Sequence, residues 1–128
     1  GTGGTLVGSG LRLRERHPKL KVVAVEPRAS AVLSGGEAGS HAIMGIGPGF
    51  VPPHLDAIDI DEVIAVSDEE AVSTCRRLFS EEGLMAGVSS GAAAFAAIAL
   101  SQRGGAGGPI VTIFPDRGER YFESRLIL

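Results

Sequence analysis

Short apolar runs alternate along the chain with segments of helical periodicity. Three runs are mostly apolar and rich in β-branched residues, which predicts strands covered on both faces; they are residues 20–25, 63–66 and 110–114. Four other segments predict helices or helical turns; they are residues 6–16, 28–33, 67–82 and 90–102. This alternation predicts an α/β fold with a doubly wound parallel sheet and helices on both faces.

The clearest local signal is the start of the segment at residues 67–82. Ser67 followed three residues later by Glu70 matches a capping box, and Asp68 and Glu69 add negative charge at the positive end of the helix dipole. Gly83 suits the position after the last turn. The sequence therefore predicts both ends of this helix.

Residues 39–53 hold four glycines and three prolines, which predicts an ordered loop rather than a helix or strand. Apolar residues are interleaved with them, among them Ile43 and Ile46. We therefore expect this loop to pack against the rest of the molecule.

Composition narrows the class of protein. The 128 residues suit one domain, and 44% hydrophobic with 21% charged residues is typical of a globular chain. Twelve Lys and Arg stand against 15 Asp and Glu, and the chain has no Trp and one Tyr, so we predict no nucleic-acid partner. The uncharged stretch at residues 83–102 is mostly Ala, Gly and Ser, so we predict no membrane span.

The single cysteine, Cys75, excludes an internal disulfide and fits a reducing, cytoplasmic location. It falls on the apolar side of the segment at residues 67–82, which predicts a core residue rather than a nucleophile. The three histidines share no ligand spacing with it, so we predict no metal site.

The chain begins with a glycine-rich turn, Gly1-Thr2-Gly3-Gly4-Thr5, directly before a predicted helix. Small residues there leave backbone N–H groups free to face an anion. Such a turn usually follows a strand, and the sequence starts without Met, so we expect a piece of a longer chain. Glu26 ends the next strand as a ribose-binding acid would, which leaves a dinucleotide-binding half-domain as an alternative.

Two further segments carry candidate chemistry. Ser89 and Ser90 lie at the start of an Ala-rich helix, where one of them either caps the helix or faces a ligand. Pro115 and Asp116 begin a charged turn after the third predicted strand. Ligands bind beyond the carboxyl ends of parallel strands, so we expect this turn, the start of the segment at residues 67–82 and the glycine-rich turn to cluster there.

Five motifs together resemble, in order and spacing, the C-terminal half of the cysteine synthases (O-acetylserine sulfhydrylases) of the fold-type II pyridoxal-phosphate family. They are GTGGT at 1–5, VEP at 25–27, HAIMGIGPGFVP at 41–52, GVSSGAA at 87–93 and PDRGERY at 115–121. The resemblance covers nearly the whole chain. It implies that residues 1–128 are one partial domain, part of the larger cofactor-binding domain of such an enzyme.

The resemblance also implies roles for individual residues. Five would cradle the phosphate of pyridoxal 5'-phosphate: Gly1, Thr2, Gly3, Gly4 and Thr5. Ser89 would hydrogen-bond the pyridine nitrogen, with Pro115 and Asp116 near the same edge of the ring. The substrate side would be lined by Gly45, Ile46 and Gly47, beside Met44, where the family often has Gln.

The implied reaction is a β-replacement, in which O-acetylserine loses its α-proton and acetate and sulfide adds to give L-cysteine. The family's catalytic lysine lies in the N-terminal half, so we predict no catalytic residue here and no activity of this chain alone. Lys19 and Lys21 flank a strand start and do not match that lysine.

The implied partners are small-molecule substrates, a second copy in a full-length homodimer, and serine acetyltransferase. Cystathionine β-synthase and serine or threonine dehydratase are alternatives within the family. A catalytically dead binding fragment is an alternative of another class.

Overall fold

The computed structural model describes residues 1–104 and 107–121, and all structural statements below refer to these residues. Three helices, α1 (Gly4–Arg14), α2 (Asp68–Glu82) and α3 (Val88–Arg103), accompany two strands, β1 (Val23–Pro27) and β2 (Glu62–Val66). The strands pair in parallel, with Val23 opposite Glu62 and Pro27 opposite Val66. The α/β class and the parallel sheet predicted from the sequence are confirmed.

Both faces of this sheet are covered. Because successive side chains of a strand point to opposite faces, neighbouring residues of β1 face different clusters. Val23 and Val25 pack against a cluster formed by β2, α2 and α3, whose members include Val66 and Val88. Val22, just before β1, belongs to a second cluster with Val7 of α1; Leu55 and Ile58 complete it.

Helices α2 and α3 pack closely because a glycine lies where they meet. A Cβ on Gly91 of α3 would collide with the backbone oxygen of Ala71 and would lie 2.8 Å from Cβ of Cys75 on α2. The small side chains of α3 thus allow the two backbones to approach each other. Ala71, Cys75 and Ala92 are accordingly buried between the helices.

The connection between β1 and β2 is long and mostly irregular, as the glycine and proline pattern predicts. It contains three short 3-10 helices: Arg28–Ser30, Val32–Ser34 and Pro53–Ala57. Ile43 in its middle is fully buried in the cluster beneath α2 and α3, so the loop is packed, as expected.

Several predicted boundaries shift. The first helix runs over Gly4–Arg14 rather than residues 6–16, and β1 covers Val23–Pro27 rather than 20–25. The last helix begins at Val88 rather than at Ser90. Each difference is two or three residues, because backbone pairing and packing set where an element begins and ends.

The third predicted strand is wrong for the described chain. Residues 110–114 carry no regular structure and are exposed, with Val111 at 78% of its full accessibility. A strand requires a neighbour to accept and donate its backbone hydrogen bonds, and no such neighbour is described beside this run. Apolar, β-branched composition alone therefore did not produce a strand here.

Candidate functional site

A cavity of about 380 Å³ lies at the carboxyl end of β1, where parallel sheets place their ligands. The turn Gly1–Thr5 forms part of its wall, and Gly45, Ile46 and Gly47 form another part. The end of β1 and the start of its long connection also line it, through Val25, Glu26 and Ser30. Its volume is within the range of small-molecule and cofactor sites.

The glycine-rich turn has the geometry of an anion cradle. Gly3 adopts a left-handed conformation with φ of 79° and ends the turn directly before α1, which no side chain caps. The first hydrogen bond of the helix runs from the N–H of Val7 to the carbonyl of Gly3, so the N–H groups of Thr5 and Leu6 have no partner within the helix. These free donors and the helix dipole favour a phosphate group at this position.

Two glycines of the same turn lie in close contact with their neighbours. A Cβ on Gly1 would lie 2.9 Å from the carbonyl oxygen of Gly45, and one on Gly3 would lie 2.8 Å from Cδ2 of Leu55. The two glycines therefore let the turn touch both the loop that carries Gly45 and the segment that carries Leu55. The residues present thus fit a phosphorylated cofactor held by backbone N–H groups.

Glu26 lines the cavity, yet its carboxylate is already engaged. One oxygen accepts from the backbone N–H of Leu33 at 2.8 Å, and the other from the N–H of Ser34 at 3.1 Å and its hydroxyl at 2.5 Å. The side chain is 3% exposed. Glu26 therefore holds the short helix at Val32–Ser34 in place, which weighs against its serving as the ribose-binding acid of a dinucleotide site.

The loop that carries Gly45 and Gly47 is fixed at two points. Nε2 of His41 lies 3.0 Å from the carbonyl oxygen of Gly47, and the N–H of Ala42 donates to Oδ2 of Asp68 at 2.8 Å. Asp68 is the first residue of α2, and its position there follows from the capping box formed by Ser67 and Glu70. The predicted capping box is confirmed. It also positions Asp68 to hold the loop that forms part of the cavity wall, which the sequence did not reveal.

Ser89 and Ser90 lie inside the first turn of α3 rather than at its cap. Gly87 precedes the helix, and no side chain caps it, so the expected capping alternative is wrong. Ser89 is 7% exposed, and Ser90 is fully buried with no hydrogen-bond partner for its hydroxyl. Ser89 is not among the residues that line the cavity beside Gly1–Thr5.

The turn at Pro115–Arg117 lies beside the entry to α3. The N–H of Gly87 donates to the carbonyl oxygen of Asp116 at 3.2 Å, and Ala86 forms an antiparallel bridge with Arg117. A Cβ on Gly87 would collide with the Asp116 carboxylate. Asp116 thus contacts Gly87, two residues before Ser89; the resemblance implies that Asp116 and Ser89 lie at the same edge of the cofactor ring.

The predicted site residues therefore form two groups. Gly1–Thr5 and Gly45–Gly47 share the cavity, whereas Ser89, Pro115 and Asp116 gather at the start of α3. Ile43, close to Gly45 along the chain, is buried together with Val88 at the start of α3. The loop between β1 and β2 hence extends from the cavity wall to the apolar cluster at the start of α3. The side chains of Arg120 and Tyr121, which end the last motif, lie outside the described residues.

Cys75 is a core residue, as predicted. It is 1% exposed, and its Sγ donates to the carbonyl oxygen of Ala86 at 3.1 Å. Burial is the main reason why the pKa of its thiol is raised above the usual value, and the charge of Asp116 raises it further. A thiol held in this form is a poor nucleophile.

The described residues offer neither a metal site nor a membrane-spanning helix. No group of three His, Cys, Asp or Glu side chains there is arranged to hold a metal ion. Within the same ranges, no helix has the length and apolar character that crossing a bilayer requires.

Comparison with known proteins links this geometry to one family. The model of the family described as "Pyridoxal-phosphate dependent enzyme" matches residues 1–116. A cysteine synthase from Staphylococcus aureus is 47% identical over 126 residues, which is 98% of this chain and 41% of that protein. The chain spans about two-fifths of the length of the curated relatives it matches.

Solved structures agree. An O-acetylserine-dependent cystathionine β-synthase from Helicobacter pylori superposes with a TM-score of 0.94 at 44% identity, over 100% of this chain and 42% of that one. An O-acetylserine sulfhydrylase isoform from Entamoeba histolytica gives a TM-score of 0.92 at 42% identity, over 98% of this chain and 38% of that one. These matches confirm the family that the five motifs indicated, together with the cofactor on which it depends. The chain belongs to the family of pyridoxal-phosphate dependent enzymes.

Proposed function

We propose that this chain supplies the cofactor-binding part of a cysteine synthase, which makes L-cysteine from O-acetylserine and sulfide. One observation supports this most directly: the glycine-rich turn Gly1–Thr5 and the loop Gly45–Gly47 line the same cavity. The relatives that match this chain at 47% and 48% identity are a cysteine synthase and a probable cysteine synthase, which supports the same reaction.

In the proposed site, residues 1–5 bind the phosphate. The free N–H groups of Thr5 and Leu6 and the positive end of α1 provide donors and a dipole for a dianion. Thr2 and Thr5 are both exposed and line the cavity, so their hydroxyls would add further donors. This part of the chain anchors the cofactor and fixes its orientation.

We propose that the Ser89 hydroxyl meets the pyridine nitrogen, with Pro115 and Asp116 beside it. When bound, pyridoxal 5'-phosphate supplies an electron sink for the carbon from which the α-proton leaves. A neutral hydroxyl does not hold the ring nitrogen protonated as a carboxylate would, so Ser89 makes that sink weaker. This favours prompt loss of the β-substituent, as β-replacement requires.

The proton transfer at the α-carbon is not assigned to a residue of this chain. Lys19 and Lys21 are both exposed, precede β1 and are not among the residues that line the cavity. We therefore propose that the chain by itself binds the cofactor without making cysteine.

A cystathionine β-synthase is the second candidate. The observation in its favour is the TM-score of 0.94 with an O-acetylserine-dependent enzyme of that name. The two candidates share the cofactor site and differ in the sulfur nucleophile that adds. A homodimeric full-length enzyme, a complex with serine acetyltransferase and a cytoplasmic location stay predictions that rest on the resemblance.

Calorimetric titration of the chain with pyridoxal 5'-phosphate tests the proposal, with pyridoxal as the matched ligand that lacks the phosphate. We expect pyridoxal 5'-phosphate to bind at least about ten-fold more tightly, because charge-assisted hydrogen bonds to the phosphate contribute most of the affinity. Inorganic phosphate should compete. Equal affinities for the two ligands, or no competition, would contradict the proposed cradle.

Two variants sharpen this test. Thr5→Val removes a hydroxyl from the turn and should weaken binding about two- to ten-fold, the effect of one hydrogen bond. Ser9→Ala removes an exposed hydroxyl farther along α1 and should leave binding unchanged. Borohydride treatment followed by peptide mass mapping should find no cofactor attached to Lys19 or Lys21, and a stable adduct at either lysine would refute that part.

A further inference from the structure

The wall of the cavity formed by Gly45–Gly47 is held by two side chains that come from different parts of the chain. His41 contacts the carbonyl oxygen of Gly47 at 3.0 Å, and Asp68 accepts the N–H of Ala42 at 2.8 Å. We propose that His41 and Asp68 are positioning residues that preform the substrate side of the cofactor cavity. This inference rests on the proposed function, because the role of the wall depends on what the cavity binds.

The His41 contact has a defined direction. A carbonyl oxygen only accepts hydrogen bonds, so Nε2 of His41 carries the proton and donates it to Gly47. Nδ1 of the same ring is buried and has no partner, so the ring has one polar attachment, and that attachment is to the loop. The hydrogen bond from the His41 side chain thus joins the two ends of the segment at residues 41–47 into a closed loop.

Gly47 lies where only a glycine fits. Its φ is 61°, in the left-handed region. A Cβ there would lie 2.5 Å from Cγ of Pro27 and 2.7 Å from Nε2 of His41. The loop therefore rests directly on the last residue of β1, with the His41 ring against it on another side.

Asp68 fixes the start of the same closed loop. The side chain of Ser67 accepts the N–H of Glu70 at 3.2 Å, and Glu70 accepts the N–H of Ser67 at 2.8 Å, which sets the first turn of α2. Arg28, just past β1, donates to both oxygens of Glu70 at 2.9 and 3.1 Å. Asp68 thus lies between Ser67 and Glu70, whose positions these contacts fix. Its carboxylate in turn holds the N–H of Ala42.

The contacts of His41 with Gly47 and of Asp68 with Ala42 together form a clamp on residues 41–47. The clamp is tested by amide hydrogen exchange measured residue by residue on the 128-residue chain. Asp68→Ala should raise exchange at Ala42 about ten-fold, and His41→Leu should raise exchange by a similar factor at Met44, whose N–H donates to Ala42 within the loop. His41→Gln retains a donor near Nε2 and should restore most of the protection. Glu69→Ala removes the neighbouring, exposed carboxylate of α2 and should change neither amide.

The role of the clamp is tested on the same variants with pyridoxal 5'-phosphate as the probe. Asp68→Ala and His41→Leu should weaken its binding about five-fold, with Glu69→Ala and His41→Gln close to the unmodified chain. Circular dichroism confirms that each variant is folded before it is compared.

The outcomes are distinct. Unchanged amide exchange in both Asp68→Ala and His41→Leu would overturn the clamp. Raised exchange with unchanged affinity for pyridoxal 5'-phosphate would overturn its positioning role. If the unmodified chain binds no pyridoxal 5'-phosphate, the proposed function fails, and the exchange data alone then decide whether the clamp exists.

Discussion

The carboxylate of Glu26 and the backbone N–H and hydroxyl of Ser34 form a partly buried polar contact at the edge of the cavity, with distances of 3.1 and 2.5 Å. Since Glu26 also accepts the N–H of Leu33, it satisfies three donors that follow β1. The contact joins residues eight positions apart and shapes the backbone between the strand and the substrate-side loop.

The Glu26 contact predicts a large effect of a small substitution. Glu26→Ala leaves the N–H groups of Leu33 and Ser34 without their acceptor and should lower the free energy of unfolding by about 1–3 kcal/mol. Urea unfolding followed by circular dichroism measures it. Glu37→Ala, at an exposed carboxylate of the same connection, is the matched control and should cost less than about 0.5 kcal/mol. Equal effects of the two substitutions would contradict this account of Glu26.

The capping box predicts a loss of stability in acid. The hydrogen bond from the Ser67 backbone is the main reason why the pKa of Glu70 is lowered, and Arg28 lowers it further. A carboxyl whose pKa is lower in the folded state contributes stability above its ordinary pKa, and this is lost as the pH falls through the folded-state value. Glu70→Gln should therefore flatten the acid side of the stability profile.

Thermal melting between about pH 3 and pH 7 checks the Glu70 prediction, with Glu69→Gln as the control. Glu69 is exposed on the same helical turn, so its substitution should leave the slope of melting temperature against pH unchanged. A Glu70→Gln variant that keeps the full slope would show that other carboxyl groups account for it.

The buried thiol of Cys75 predicts a loss of stability at high pH. Burial raises the pKa of Cys75, so the unfolded chain loses this proton more readily than the folded chain. The folded state is therefore disfavoured as the pH rises above the ordinary thiol range, and below that range the thiol has no such effect. Cys75→Ala should remove this part of the alkaline slope, although it costs about 1 kcal/mol or more in lost packing.

The reactivity of Cys75 gives a second measurement. An aromatic disulfide reagent should label it slowly in the native chain and fast in urea, because the thiol is 1% exposed. Labelling at equal rates in the two conditions would contradict a core position.

Two glycines in helices predict opposite effects of alanine. Gly8, in the middle of α1, has nothing within 4 Å of a built Cβ, so Gly8→Ala should stabilise the chain by about 0.5–1 kcal/mol. Gly91 on α3 lies against the backbone of α2, so Gly91→Ala should destabilise it by about 1–3 kcal/mol. Differential scanning calorimetry of both variants measures the pair, and a stabilising Gly91→Ala would contradict the close approach of the helices.

Local interactions made several features predictable. The capping box of α2 joins Ser67 and Glu70, three residues apart, and Gly83 ends the same helix in a left-handed conformation, so both signals could be recognised in the sequence alone. The glycine-rich turn before α1 likewise depends on adjacent residues. The family could be recognised because its five motifs are short runs of adjacent residues, which can be read directly from the sequence.

Contacts between distant residues were decided by the tertiary structure. Residues 110–114 have the composition of a strand, but a strand forms only beside a partner, and none is described there. Asp68 and Ala42 are 26 residues apart, and no local pattern indicates that one fixes the other. The sequence thus determined the ends of α2, the fold class and the chemistry of the turn. Only the tertiary structure decided that Asp68 holds the loop that forms the wall of the cavity, because a hydrogen bond between distant residues requires the whole chain to be folded.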